Sequence, residues 1–221
     1  PDVIVNRFDH RSPGTTHGHH TSSAMLSVES FELANDPTIF PEQLQFVKPW
    51  QTKRQFFNTS WWFYGTIEKF NAADKKNLIA LQTGVYYAGL GKSNQEIAAL
   101  SRSRHQSQGF GSTGARGEET EYLEFINGDA LKEKKSLFEG IDTSWNRVKG
   151  GKAIGELLTT IAAEFNHNNP SASIPNLAKA YIMMNALDEN HWAPLKSAAI
   201  KEIIAACSGL YLEAVAQNQE A

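Results

Sequence analysis

The fold class predicted by the sequence is an α/β domain followed by an all-α extension. Three observations carry that prediction. Val3-Ile4-Val5 is an apolar run without alternation, the pattern of a strand covered on both faces in a parallel sheet. Three more strand-like runs, 53–58 (KRQFFN), 78–83 (LIALQT) and 121–126 (EYLEFI), are interspersed with helical segments. From residue 131 onward the apolar residues recur only at helical spacing. The expected domains are therefore 1–130 and 131–221.

Taken in order, the first strand opens behind Pro1-Asp2, with no earlier strand in the chain to pair with it. Neither an initiator Met nor a charged-then-apolar leader precedes it. The chain is thus expected to start inside a domain, unless the later strands supply the whole sheet. A polar loop, 7–16, leads to a histidine cluster. Ala24, Met25, Val28 and Phe31 then follow at helical spacing, which places His19 or His20 near a helix N-terminus. Asp36-Pro37 stops that helix and Phe40-Pro41 opens another short element. Trp61-Trp62-Phe63-Tyr64 is dense in aromatics, and the whole patch from Phe56 to Tyr64 is expected as ordinary core and rim, with a sugar-stacking platform as the alternative. Ser93 and Glu96 form a capping-box pattern for a helix through Ile97 and Leu100 to about Gln106.

In the extension, Ile154, Leu157, Leu158, Ile161 and Phe165 share one helical face. Leu177, Tyr181, Met184 and Leu187 share a second. Ile200, Ile203, Ile204, Cys207, Tyr211 and Ala214 share a third. Asp142-Thr143-Ser144-Trp145 reads as a turn and helix start with an anchoring Trp.

Composition removes several classes of function. The 21 Lys+Arg against 24 Asp+Glu give a net charge of −3, so there is no basic face for non-specific nucleic-acid binding. No apolar run approaches the ~20 residues needed to cross a bilayer. One cysteine, Cys207, excludes an internal disulfide and any Cys-rich metal site.

Of seven histidines, four lie between His10 and His20. In His17-Gly18-His19-His20, imidazoles three apart and just before a helix can face one side. Zinc accepts such ligands, with a catalytic site needing about three protein groups plus water. Gly18 allows close backbone approach. A solvated His-rich loop is the alternative, because no Cys or Asp completes an obvious ligand set. Asp9 could hold an imidazole tautomer. Arg7 leaves the end of the first strand, where side chains often face a ligand crevice. His105 and Gln108, also three apart, could reach one site; a solvated helix end is the alternative. Gly109, Gly111 and Gly114 spell G-x-G-x-x-G, but after a helix and before a strand, which is the wrong context for a dinucleotide.

Val3 to Phe8 (VIVNRF) with Thr16 to Ala24 (THGHHTSSA) resembles the second metal motif of the LmbE/PIG-L family of zinc-dependent N-deacetylases. Members of that family usually carry His-Pro-Asp-His there. Ser103 to Gly111 (SRHQSQGFG) is similar to the family's later His-x-Ser-Gln element. The stretches 31–50 and 137–151 resemble the long variant found in multi-domain proteins, with a helical segment after the deacetylase domain.

The resemblance implies the C-terminal part of a Rossmann-like α/β/α deacetylase domain plus a helical extension. It implies His20 as a zinc ligand and His17 as the group assisting the developing oxyanion. It also implies His105 and Gln108 near the substrate pocket, where Arg7 is expected as a substrate-binding residue from its place at the strand end. His19 stands where short members have Asp, which leaves its role and that of Asp9 open. The implied substrate is an N-acetylated sugar or glycoconjugate, and the implied location is periplasmic or secreted. The family's first motif, His-Pro-Asp-Asp-Glu, does not occur in this sequence. The remaining ligands and the general base are therefore expected on a segment upstream of Pro1, and tight zinc binding is expected to need that segment. A non-catalytic carbohydrate-binding or pseudo-enzyme module is the alternative. The helical end is a further candidate as a homo-oligomer or docking surface.

Overall fold

The structure, a computed structural model, describes residues 1–108 and 111–210. Among them the chain separates into two compact units, Pro1–Ile141 and one that begins at Asp142. In the first unit β1 (Val3–Asn6) leads into α1 (Gly18–Leu33), and β2 (Arg54–Thr59) is followed by short helices α2 (Trp61–Tyr64) and α3 (Ile67–Ala72). Next come β3 (Leu78–Gln82) and a small ladder of β4 (Tyr86–Tyr87) and β5 (Lys92–Ser93). Helix α4 (Asn94–Ser103) and β6 (Thr120–Gly128) complete the unit.

The main sheet is mixed, in the order β1-β2-β6-β3. β1 runs parallel to β2, with Ile4 opposite Gln55 and Asn6 opposite Phe57. β6 lies antiparallel between β2 and β3. The α/β prediction holds, and the three later strand runs are strands within a residue or two of their expected ends. β2 is buried along most of its length. Phe56 and Phe57 are almost inaccessible, and Phe56 forms a core with Ile79 and Leu123. Burying a side chain of that size contributes about 1.5–3 kcal/mol.

The expectation that β1 is covered on both faces is corrected. Among the described strands β1 pairs only with β2, and Val5 is 46% exposed. An apolar run marks affinity for a sheet, but cannot distinguish a central strand from an edge strand.

α1 is fixed to the sheet by a row of polar groups. The Asn127 amide donates to Gln55 Oε1, the Gln55 amide to Ser27 Oγ, and Ser27 Oγ to Asn6 Oδ1, at 3.2, 2.9 and 2.8 Å. Each is a hydrogen bond in a part-buried setting, so removing one member strands its neighbours. The helix ends at Leu33, before Asp36-Pro37. Phe40-Pro41 opens a 3-10 turn, Pro41–Gln45. The capping box of α4 is formed in both directions: Ser93 Oγ accepts from the Glu96 N–H, and the Glu96 carboxylate accepts from the Ser93 N–H. That helix ends at Ser103, short of Gln106, and Ile97 and Leu100 remain exposed. Gly109 and Phe110 lie outside the described residues.

The division between units falls at Ile141, beyond the expected 130. Leu131 and Leu137 pack against the Phe56 core, and the buried Arg54 guanidinium donates to the carbonyls of Leu137 and Glu139. These contacts tie residues 131–141 to the sheet unit.

In the second unit Ser144 caps a short turn, Trp145–Arg147, after Asp142 has accepted from its N–H and hydroxyl. Then come α5 (Lys152–Ala163), α6 (Ile174–Asn185) and α7 (Trp192–Cys207). Ile154, Ile161, Leu177, Ala180, Met184, Ile200 and Cys207 form their common core, with Trp145 packed against it. The three predicted helical faces are therefore core faces. Ile203 is the exception and is exposed, because it sits at the margin of the stripe set by Ala193, Ser197, Ile200 and Cys207. Tyr211 and Ala214 lie outside the described residues. No described helix is long and apolar enough to cross a membrane.

Candidate metal centre

Because β1 and β2 are parallel, their carboxyl ends open on the same side of the sheet. The β1–α1 loop and α2 both emerge there, the usual place for a ligand crevice in an open sheet. α1 begins earlier than its apolar spacing suggests. His17 is its N-cap residue in extended conformation, and His19 and His20 lie within the first turn. The His17 carbonyl accepts from the N–H groups of His20 and Thr21 at 2.9 and 3.3 Å. Thr16 and Thr21 join through their hydroxyls at 3.0 Å. Nothing lies within 4 Å of the point a Cβ on Gly18 would occupy, so close approach is not what that glycine serves.

The ligand nitrogens of His17, His19 and His20 all lie within 4.8 Å of one another. Ring centroids are 5.5 Å apart for His17 and His20 and 4.1 Å apart for His19 and His20. Phe8 covers the His20 ring at 4.1 Å, with 11° between the planes. Loss of hydration, then the fields of His19 and His17, hold His20 below the usual imidazole pKa. The positive end of α1 favours the same neutral form. Neutral imidazole is the form that ligates a metal.

These residues fit a divalent metal in donor type. Zinc takes imidazole nitrogen at about 2.0–2.1 Å in tetrahedral geometry, so two nitrogens on one ion stand ~3.3–3.4 Å apart. The ligand nitrogens, within 4.8 Å of one another, must close further to reach that spacing, and the exposed rings of His17 and His19 have room to turn.

The other predicted residues divide into two groups. Arg7, at the end of β1, donates to Asn58 Oδ1, and the Asn58 amide donates to Glu121 at 2.8 Å. Asp9 turns to residues beside it: its carboxylate accepts from Arg11 Nε at 2.8 Å and from the Ser12 hydroxyl at 2.7 Å, and lies 3.8 Å from His10 Nδ1. Burial raises the Asp9 pKa, but the Ser12 and Arg11 hydrogen bonds outweigh it and leave the carboxyl below its usual range. His105 and Gln108 share a turn after α4, closed by the Gln108 N–H on the His105 carbonyl at 3.1 Å. His105 is exposed, with Nδ1 3.3 Å from Ser107 Oγ, and stands apart from the three-imidazole group.

Two features of the site were not read from the sequence. Phe8 is one. The other is the ion pair in which both terminal nitrogens of Arg11 reach both oxygens of Glu124, at 2.8 and 2.7 Å. Burial and the Glu124 carboxylate raise the Tyr64 phenol above its usual pKa, so the aromatic turn also feels this pair. The aromatic patch is core and rim: Phe56 and Phe57 are buried in the sheet. Phe63 packs edge-on to Phe57 and Tyr64 edge-on to Phe70, whereas Trp61 and Trp62 are each 48% exposed.

In comparisons with family models, curated proteins and solved structures, nothing matches this chain.

Proposed function

We propose that the His17–His20 turn is part of a zinc site that removes an acetyl group from an N-acetylated sugar or glycoconjugate. The sheet and helices around it would belong to a Rossmann-like, LmbE-like α/β/α domain. The observation that carries this reading is the gathering of three imidazoles within 4.8 Å at the carboxyl end of the parallel pair. The motif resemblance agrees with it at His17 and His20.

Zinc, when bound, supplies a Lewis acid and lowers the pKa of water enough for nucleophilic attack at neutral pH. His20, oriented by Phe8, is assigned as a ligand, and His19 as the second imidazole. His17 faces the acetamide oxygen and donates a hydrogen bond as negative charge develops there. Arg7, anchored on Asn58, offers its remaining N–H groups to a hydroxyl or carbonyl of the substrate. Water adds to the acetamide carbon, the C–N bond breaks, and acetate and a free amine leave. A carboxylate must take the proton from water. The resemblance assigns that base to a His-Pro-Asp-Asp-Glu segment, which these 221 residues do not contain.

The test joins such a segment ahead of Pro1 and measures acetate released from N-acetylated saccharides with zinc present. Release that needs both the segment and His20 supports the reading; release that survives His20→Ala contradicts it.

A saccharide-binding module without hydrolysis is the second reading, favoured by the half-exposed Trp61 and Trp62. Their faces suit stacking against the C–H face of a sugar ring. Saccharide binding lost in Trp61→Ala and Trp62→Ala, with no acetate released by the joined protein, would select it.

A further inference from the structure

We propose that the Arg11–Glu124 ion pair sets the metal affinity of the histidine turn, acting through Phe8 on the ring of His20. Arg11 is thus a positioning residue. The inference rests on the reading of that turn as a zinc site.

The loop between β1 and α1 lacks regular structure of its own; Arg7 ties its start to Asn58 on β2, and Arg11 ties its middle to β6. Arg11 places its two terminal nitrogens on Glu124 at 2.8 and 2.7 Å and its Nε on Asp9 at 2.8 Å. Glu124 is a firm base, because β6 pairs it with Phe57 on one side and Leu78 on the other. Ser12 closes on the second oxygen of Asp9 at 2.7 Å. Residues 9–12 are thereby held against the sheet.

Phe8 sits between this fixed segment and the end of β1. Its ring lies flat on His20 at 4.1 Å. The His20 imidazole cannot swing toward Phe8 without displacing it, whereas the exposed rings of His17 and His19 are less constrained. A ligand already oriented loses less conformational freedom when metal binds, which raises affinity. Lysine cannot replace Arg11, since a single ammonium lacks the planar fork that spans two carboxylates.

The experiment is calorimetric titration with zinc of the chain joined to the upstream segment, alongside thermal unfolding and the histidine ring NMR signals of the metal-free protein. The variants are Arg11→Gln, Glu124→Gln, the two combined, Arg11→Lys and Phe8→Leu. Each single substitution is expected to weaken zinc binding about 10-fold, the cost typical of removing a group that orients a ligand. The double variant should be no weaker than either single. The His20 ring signals should move in the metal-free Arg11→Gln protein, because Phe8 shifts over them. Unchanged zinc affinity in Arg11→Gln and Phe8→Leu, with wild type binding normally, overturns this inference alone. Absence of zinc binding in the wild type overturns the zinc-site reading and this inference with it. If Arg11→Gln does not fold, Phe8→Leu, which leaves the ion pair intact, decides by the same criterion.

Discussion

The rings of His17 and His20 lie 5.5 Å apart with 11° between their planes, so the N-cap of α1 and its first turn present two imidazoles in parallel. One of them, His20, is backed by Phe8; the other is exposed. The difference separates their roles. In the complete active protein, His17→Ala should keep its zinc and lose about 10²–10³-fold in kcat, the usual cost of removing one group that stabilises an oxyanion. Metal content and steady-state kinetics on the same preparation check this. Loss of zinc in His17→Ala would make His17 a ligand instead.

Asp9 gives a pH dependence with a defined sign. Its folded pKa lies below the unfolded value of 3.8. The native state therefore favours the charged carboxylate. The stabilisation is complete above the unfolded value and is lost as pH falls through the lower folded value. Asp9→Asn should cost about 1–2 kcal/mol at neutral pH through its weakened bonds to Arg11 and Ser12. It should also flatten the acid limb of stability below about pH 4. Urea unfolding of both proteins from pH 2 to 7 measures it; parallel acid limbs would contradict the prediction.

Gly155 is in the interior of α5, where alanine would ordinarily gain up to about 1 kcal/mol. Here a Cβ would fall 2.9 Å from the Cβ of Trp145, which is not a flexible chain end. Overpacking of this kind costs typically about 1–3 kcal/mol, so the clash outweighs the propensity. Gly155→Ala should lower the unfolding midpoint, as read by circular dichroism.

Much of the fold was legible because its determinants are local. Ser93 and Glu96 are three residues apart, and the cap they predict is formed. The extension's apolar faces repeat every three or four residues and meet in one core. The parts that were missed depend on distant partners. Arg11 and Glu124 are 113 residues apart, so no spacing rule joins them. β1's apolar run does not say which side stays open, and the exposure of Trp61 and Trp62 depends on which neighbours cover them. At the site, His17 and His20 were readable from their spacing, and His19 joins them because α1 begins as early as Gly18.

The α4 cap supplies a stability test independent of the metal. Ser93 Oγ accepts from the Glu96 N–H at 3.1 Å and donates to the Ala115 carbonyl at 2.8 Å, and the residue is almost fully buried. Ser93→Ala loses the cap and leaves that carbonyl without its donor. A cost of about 1–2 kcal/mol is expected, with Ser93→Thr retaining part of it. Chemical denaturation checks the order of the three proteins.

Zinc content measured on the chain joined to the upstream His-Pro-Asp-Asp-Glu segment, as wild type and as His20→Ala, after equilibrium dialysis against excess zinc at neutral pH, tests the metal site most directly. About one zinc per joined wild-type chain and almost none in its His20→Ala variant is the expected result. Equal zinc in the two proteins would contradict it.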